Sequence, residues 1–448
     1  MIFKIGSLKL KTVNFKENNF AKLAAYGLYN NSILDKVCAF LFVLSPILQH
    51  YVGIYRNAGF TVLVLILPYL SLKLCAKFMS TGLSFQRFSL IFPLLLFQIY
   101  RLFDHGINLN KLLYAVFMFL VLMIIACGCI NVREFFRYAT VICVCATFLL
   151  IVQYLFFYLL RIHITMVPTF LFLPESSQWL LLAKTGLYGI TGTLNTNNLY
   201  RPSAFFLEPS HLFVFSFPVL CLLLLSPEMD SWRKKVAYLV TLGIILSTSG
   251  MGLFVAIGLW SLYWMFYRNG HESKVVAKLR NFFSFKSILI LFCALLVLVF
   301  LYFQVGAFTN MVNRVFGIDN SVRWNAIDGR TRLAQKLILG LRDDDLLFGF
   351  TEDKSDIEFN LPGFFSTVYK YGIAGVCLSY LFNIRSYFKL KGASFWVNCL
   401  VVLLSFFTAH THGVFYMLYF LVFIMNGYYS CSITGQRQIG SVATTGTR

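Results

Sequence analysis

Charged residues are scarce in this chain, and acidic residues are the scarcest. Only 12% of the 448 residues are charged, whereas roughly 25% is usual in soluble globular domains. The 38 lysines and arginines outnumber the 18 aspartates and glutamates. Hydrophobic residues make up 58% of the chain, and its mean hydropathy is +0.74. This composition excludes an ordinary soluble domain and predicts an integral membrane protein that crosses the bilayer many times.

The sequence also lacks the signals of several other protein classes. It has no GxxxxGK loop of the kind that holds nucleotide phosphates. Its 11 cysteines show no metal-ligand spacing and are absent from the two long segments predicted below to be external. We therefore expect no disulfide framework, no metal and no other cofactor. The excess of lysine and arginine belongs mainly to segments predicted to face the cytoplasm, so we also expect no nucleic-acid partner.

Long apolar runs account for most of the remaining sequence. A run of about 20 apolar residues can cross a bilayer as a helix, and the sequence predicts an all-α fold with about 12 transmembrane helices. We place them at residues 33–54, 58–79, 84–103, 109–130, 137–160, 203–226, 236–248, 250–267, 286–305, 362–384, 394–409 and 413–430. This transmembrane domain, 33–430, follows a basic cytoplasmic segment at 1–32 that is not a cleavable signal. It precedes a disordered cytoplasmic tail at 431–448.

The distribution of lysine and arginine predicts which segments face the cytoplasm. Segments 226–235 and 267–286 are both basic, so the residues between them must cross the bilayer an even number of times. The break Ser247-Thr248-Ser249-Gly250 divides these residues into two short helices. Both chain termini are then cytoplasmic. Two long segments, 161–202 and 306–361, are predicted to be external, and the second holds nine of the 18 acidic residues.

One apolar segment, YRPSAFFLEPSHLF, carries charged and titratable groups at its start. Charged side chains cost roughly 2.5–3.5 kcal/mol at the bilayer centre on insertion scales, so they indicate a functional site. In a helix from residue 203, Arg201 and Glu208 share a face, and His211 follows Glu208 by about one turn. Glu208, Arg201 and His211 are the predicted catalytic residues. The alternatives are an interfacial anchor for Arg201, an ion pair for Glu208 and a structural hydrogen bond for His211.

Further cationic residues lie in the segments predicted to be external. Arg330, Arg323 and Arg332 in the second segment, with Lys184 in the first, are predicted to bind the pyrophosphate of a substrate. Guanidinium groups bind phosphate oxygens bidentately, which lysine does not. The alternatives are surface ion pairs with the nearby acids for the arginines and an interfacial anchor for Lys184.

Two histidines, His410 and His412, flank Thr411 in the short turn AHTHG between the last two predicted helices. They are secondary candidates for the site, and a simple polar turn also explains them. External arginines suit an anionic, lipid-borne substrate such as a polyprenyl pyrophosphate. The arginines would neutralise the pyrophosphate leaving group while a carboxylate or imidazole accepts the proton of an attacking hydroxyl.

Three segments, in chain order, resemble the Wzy O-antigen polymerases, which belong to a wider superfamily that includes the O-antigen ligases. RPSAFFLEPSHL is similar to the Arg-small-aromatic-Glu-Pro-Ser start of a central helix, and LSTSGMGLFVAI is similar to a broken helix pair. The large periplasmic loop and its closing helix are matched by FGIDNSVRWNAIDGRTRL and GFTEDKSDIEFNLPGFFSTVYKYGIAGV. With the predicted helices, the resemblance covers most of residues 30–430.

The resemblance implies an enzyme of the bacterial inner membrane with its active site facing the periplasm. It would transfer a growing glycan from undecaprenyl pyrophosphate to the terminal sugar of a lipid-linked repeat unit, with a chain-length regulator and a flippase as partners. Ligases carry a histidine before the helix that follows the large loop, where this chain has EFNLPGFF with Asn360. The alternatives are a ligase acting on lipid A core or protein, and a transporter of lipid-linked oligosaccharides. A helix break in only one half argues against a transporter.

Overall fold

The computed structural model of the chain describes residues 32–54, 57–81, 85–103, 108–160, 164, 166, 169–173, 202–225, 231–264, 343–349, 361–390, 392–408 and 413–426. As predicted, these stretches are mostly helical. They contain no β-strand, and their β pairing consists of isolated bridges between Tyr51 and Phe172 and between Val52 and Asn57. The predicted helix 286–305, the tail 431–448 and most of the two long segments lie outside the described residues.

The described helices follow one another in the order α1 to α12. Their bounds are Ile33–Leu48, Ala58–Thr81, Phe85–Phe103, Leu109–Ala126, Val132–Leu155, Pro209–Leu225, Ser231–Leu246, Gly250–Leu262, Asp343–Phe348, Gly363–Tyr387, Gly392–Ser405 and Val414–Asn426. A π-helical turn, Phe156–Leu160, continues α5. Several helices begin after a Ser or Asn whose side chain accepts a hydrogen bond from the N–H three residues on. These caps are Ser32, Asn108, Asn131 and Ser249.

Three helices of the described part are long and apolar enough to cross a membrane: Ala58–Met79, Leu109–Ala126 and Val132–Leu160. Shorter apolar helices are Pro209–Leu225, Gly250–Leu262, Gly392–Ser405 and Val414–Asn426. The surface of α4 fits a lipid environment, because Leu109, Leu113 and Val116 form an exposed apolar stripe. Met118 and Leu122, on the opposite face, are buried. Such a stripe is unfavourable in water and favourable against lipid chains.

Helix α6 lies at the centre of the described bundle. It packs against α5, α7, α8 and α11, and nearly all its side chains are buried, as expected for a helix that is apolar all round. Two tyrosines of α12 also reach it. The hydroxyls of Tyr416 and Tyr419 donate hydrogen bonds to the backbone carbonyls of His211 and Phe215, each over 3.1 Å. These bonds satisfy the buried hydroxyls and fix α12 against α6.

The predicted break between residues 247 and 250 is confirmed. Helix α7 ends at Leu246, α8 begins at Gly250, and Thr248 between them has a φ of 54°. The hydroxyl of Tyr154 in α5 donates to the carbonyl of Leu246 over 2.7 Å. A carbonyl that the end of α7 would leave without a helical partner is therefore satisfied by a neighbouring helix.

Several predicted helix ends are wrong, including the starts of α5 and α7, and the largest differences are at α1 and α6. Helix α1 ends at Leu48 instead of residue 54, because the next residues pair with a later segment: the Val52 N–H donates to the Leu171 carbonyl over 2.8 Å. Helix α6 begins at Pro209 instead of residue 203, because the preceding residues form turns and Ala204 has a φ of 54°. The ends of α2 and α3, by contrast, lie within two residues of the prediction.

Helix α10 contains a second break, which the sequence analysis did not predict. Gly372 has a φ of 61° and a ψ of −169°, so the helical hydrogen bonding is interrupted there. The short helix α9 packs against this point. The hydroxyl of Tyr100 in α3 donates to the carbonyls of Phe348 and Tyr371 over 3.0 and 3.2 Å. One tyrosine thus satisfies backbone groups on both sides of the contact between α9 and α10.

Candidate functional site

The first turn of α6 holds two of the predicted catalytic residues, Glu208 and His211. Glu208 caps the helix, and its carbonyl accepts hydrogen bonds from the N–H groups of His211 and Leu212 over 3.0 and 3.3 Å. Pro209 occupies the first helical position, where a missing N–H removes no helical hydrogen bond. The Ser210 hydroxyl donates to the Glu208 carboxylate over 2.8 Å. The Glu-Pro-Ser-His motif therefore starts the helix and holds a carboxylate and an imidazole in one turn.

The His211 side chain meets residues from two distant parts of the chain. It is only 3% exposed, and its ring stacks on that of His50, with centroids 4.5 Å apart and planes 22° apart. The ring of Tyr416 lies edge-on to it, with centroids 6.1 Å apart, and the Tyr416 hydroxyl is within electrostatic reach of Glu208. His50 follows α1 and Tyr416 belongs to the first turn of α12. We call Glu208, Ser210, His211, His50 and Tyr416 the histidine cluster.

The segment that precedes α6 is held in place by side chains of other elements. Gln153 of α5 accepts a hydrogen bond from the Ala204 N–H over 2.9 Å, and the Tyr51 hydroxyl donates to the Phe205 carbonyl over 2.6 Å. Ala204 is buried with a positive φ of 54°. This conformation is unfavourable for a residue with a β-carbon and persists only where the surroundings enforce it. The approach to Glu208 is therefore a fixed structure.

The histidine cluster contains groups that can exchange a proton. The N-terminus of α6 carries partial positive charge, which favours an anionic group such as the Glu208 carboxylate at this position. Two stacked imidazoles also repel each other if both are charged. A neutral imidazole offers one acceptor nitrogen, and an adjacent carboxylate stabilises the cation that forms when the proton arrives. The cluster is therefore suited to accept a proton from a hydroxyl group.

The predicted site residues have different outcomes. The structure brings Glu208 and His211 together in one turn. The expectation that Glu208 lies inside a helix that starts at residue 203 is wrong, because Glu208 caps the helix and the preceding residues are not helical. Residues 202–208 therefore provide no helix on which Arg201 and Glu208 could share a face. The remaining predicted residues lie outside the described residues: Arg201, Lys184, Arg323, Arg330, Arg332, His410 and His412.

The sequence analysis missed His50 and Tyr416. His50 is one of seven histidines and lies near the predicted external end of the first predicted helix, so its position alone was a weak signal. Tyr416 is one of 24 tyrosines and has no distinguishing sequence context. Their contacts with His211 join residues more than 150 positions apart in the chain, which no local pattern reveals.

Comparison of the chain with protein-family models finds no matching family, and comparison with curated proteins finds no matching sequence.

Proposed function

We propose that this chain is a polysaccharide polymerase of the bacterial inner membrane, of the Wzy type, with about 12 membrane spans. Its active site would face the periplasm, and both termini would be cytoplasmic. The observation that carries the proposal is the histidine cluster. Glu208, His211 and His50 lie together at the start of α6, and His211 is buried. The other described residues bury only two carboxylates, Asp35 and Glu134, and no histidine. Titratable residues grouped within a membrane domain are functional by default.

The proposed reaction joins two lipid-linked glycans. A hydroxyl oxygen on the terminal sugar of the acceptor attacks the anomeric carbon of the donor glycan. The bond from that carbon to the pyrophosphate breaks, and undecaprenyl pyrophosphate leaves with the bonding electrons. The hydroxyl proton passes to His211 or Glu208 and then to water. Base catalysis of this kind typically contributes about 100- to 10,000-fold to a rate.

The leaving pyrophosphate needs positive charge near the histidine cluster. Arg201, Arg330, Arg323 and Arg332 stay the predicted ligands for it, with Lys184 as a supplement. A guanidinium that binds two phosphate oxygens stabilises their developing charge better than the ammonium group of a lysine does. Because Arg201 directly precedes the fixed segment 202–208, it is the first of these residues to test.

The test is the glycan pattern of cells in which variants replace the native chain at matched membrane abundance. We expect Glu208→Gln and His211→Gln to abolish the ladder of long glycans and to leave a single repeat unit on its carrier. Tyr419→Phe is the matched control, because it removes a hydrogen bond between α12 and α6 away from the cluster. A full ladder from both cluster variants would refute the proposal. Accumulated polymer that is not attached to its final acceptor would indicate a ligase.

One observation favours a transporter as the second candidate. The break at Gly372 lies within an apolar helix, and interrupted helices form the substrate sites of many transporters. The same glycan experiment separates the two functions. If the native chain is a transporter of lipid-linked oligosaccharides, its loss leaves the repeat unit on the cytoplasmic face, and no single repeat unit appears outside.

A further inference from the structure

A cavity of about 290 Å³ lies between α3, α10 and α12. Its lining includes Arg101 from α3, Lys370 and Tyr371 from α10, and Met417 and Leu421 from α12. It is separate from the histidine cluster, although α12 borders both. At 100° per residue, Met417 and Leu421 lie on the side of α12 opposite the tyrosines that bond to α6.

Arg101 is held at this cavity by aromatic side chains. Its guanidinium carbon is 5.4 Å from the ring centroids of both Tyr114 and Tyr371 and 6.0 Å from that of Phe97. The hydroxyls of Tyr114 and Tyr371 also accept hydrogen bonds from it. A guanidinium has five N–H donors, and the two tyrosine hydroxyls accept hydrogen bonds from only some of them. Among the described residues no carboxylate forms an ion pair with Arg101.

The cavity combines this cationic group with an apolar wall. Along α12 the lining residues run from Gly413 to Ile424, which corresponds to about 16 Å of helix. All the side chains that α12 contributes to the lining are apolar, whereas α3 contributes the cationic Arg101 from its last turn. A ligand that fills the cavity should therefore have an anionic end beside Arg101 and an apolar chain along α12.

We propose that this cavity binds the phosphate group of a lipid, with Arg101 and Lys370 at the phosphate and the lipid chain along α12. A phosphate accepts hydrogen bonds from a guanidinium in bidentate fashion and provides the negative charge that no described carboxylate provides to Arg101. The proposal rests on the proposed function only for the identity of the lipid. Block transfer uses two lipid-linked substrates. This cavity would be the binding site for one of them, on the side of α12 that faces away from the histidine cluster.

The test is equilibrium binding of undecaprenyl phosphate to the purified full-length protein in detergent. Undecaprenol, which has the same chain without the phosphate, and inorganic phosphate serve as separate probes. We expect undecaprenyl phosphate to bind saturably and both other probes to bind at least roughly tenfold more weakly. Equal binding of undecaprenol would overturn the role of the phosphate. Equal binding of inorganic phosphate would show a site for soluble anions and overturn the assignment to a lipid.

Variants locate the binding in the cavity. Arg101→Gln should weaken the binding of undecaprenyl phosphate by roughly tenfold or more. Arg137→Gln, which changes an arginine that is 70% exposed and paired with Glu134, should not. Met417→Trp fills the apolar part and should also reduce binding while it leaves Arg101 in place. Wild-type affinity in both Arg101→Gln and Met417→Trp would overturn the proposal.

The same binding assay separates this proposal from the proposed function. His211→Gln should bind undecaprenyl phosphate with wild-type affinity although it abolishes polymerisation. If polymerisation survives both His211→Gln and Glu208→Gln while Arg101→Gln still loses the lipid, the proposed function fails and the lipid site stands. If polymerisation is lost in His211→Gln but the lipid binds equally well to Arg101→Gln and Met417→Trp, the lipid site fails alone.

Discussion

The break in α10 gives a prediction whose magnitude follows from the geometry. Gly372 has φ 61° and ψ −169°, a region that is costly by about 1–3 kcal/mol for residues with a β-carbon. A β-carbon there would overlap the carbonyl of Leu347 and lie 2.5 Å from the backbone nitrogen of Phe348. Since backbone atoms cannot rotate away, α9 must shift and lose the hydrogen bond from Tyr100 to the Phe348 carbonyl, worth about 1 kcal/mol. Gly372→Ala should therefore lower the free energy of unfolding by about 2–4 kcal/mol.

A second glycine supplies the matched control for this change. A β-carbon at Gly258 in α8 meets nothing within 4 Å, so Gly258→Ala should stabilise the helix by up to about 1 kcal/mol. The assay is equilibrium unfolding of the purified protein in mixed micelles as the fraction of SDS rises. Gly372→Ala should unfold at a lower SDS fraction than the wild type, and Tyr100→Phe should show part of the same loss. If Gly372→Ala and Gly258→Ala unfold at the same SDS fraction, the reasoning about the break is refuted.

Two further changes test other contacts. Asp35→Ala removes the partner of Lys73, which is 13% exposed and 2.6 Å from the Asp35 carboxylate. It should cost about 3–5 kcal/mol in the same unfolding assay, and Asp35→Leu combined with Lys73→Met should recover most of that loss; equal stability of the single and double variants would contradict this. Tyr416→Phe should lower glycan polymerisation more than Tyr419→Phe, although each loses a 3.1 Å bond to α6, because only Tyr416 contacts His211; equal rates at matched abundance would contradict it.

The sequence predicted those parts of the fold that depend on local chemistry. The break between α7 and α8 was predictable because the basic segments on either side must both face the cytoplasm, which requires an even number of crossings. The small and hydroxyl residues Ser-Thr-Ser-Gly then mark where the break lies. The start of α6 was missed although the signal was present, since a proline after a capping residue marks the first helical position. The break at Gly372 could not be predicted. A glycine in an apolar run is tolerated in helices, and the close approach of α9 that requires it is a tertiary contact.

The candidate site was predictable only in part, for a similar reason. Glu208 and His211 are neighbours in sequence, so a local pattern was enough to link them. His50 is joined to them by ring stacking across the bundle, and Arg101 is enclosed by rings from three helices. Sequence reasoning gives an arginine at a helix end the default role of an interfacial anchor. Only the packing of α3, α4 and α10 shows that Arg101 lines a cavity and is not such an anchor.

The contacts of His211 also determine when the site can form during synthesis. His50 leaves the ribosome first, His211 much later, and Tyr416 only with the last described helix. A chain that has inserted α1 to α11 without α12 lacks the hydroxyl that bonds to the His211 carbonyl. It also lacks one whole wall of the Arg101 cavity. Partly synthesised chains in the membrane should therefore be inactive. Only chains that contain α12 would act on the lipid-linked substrates proposed above.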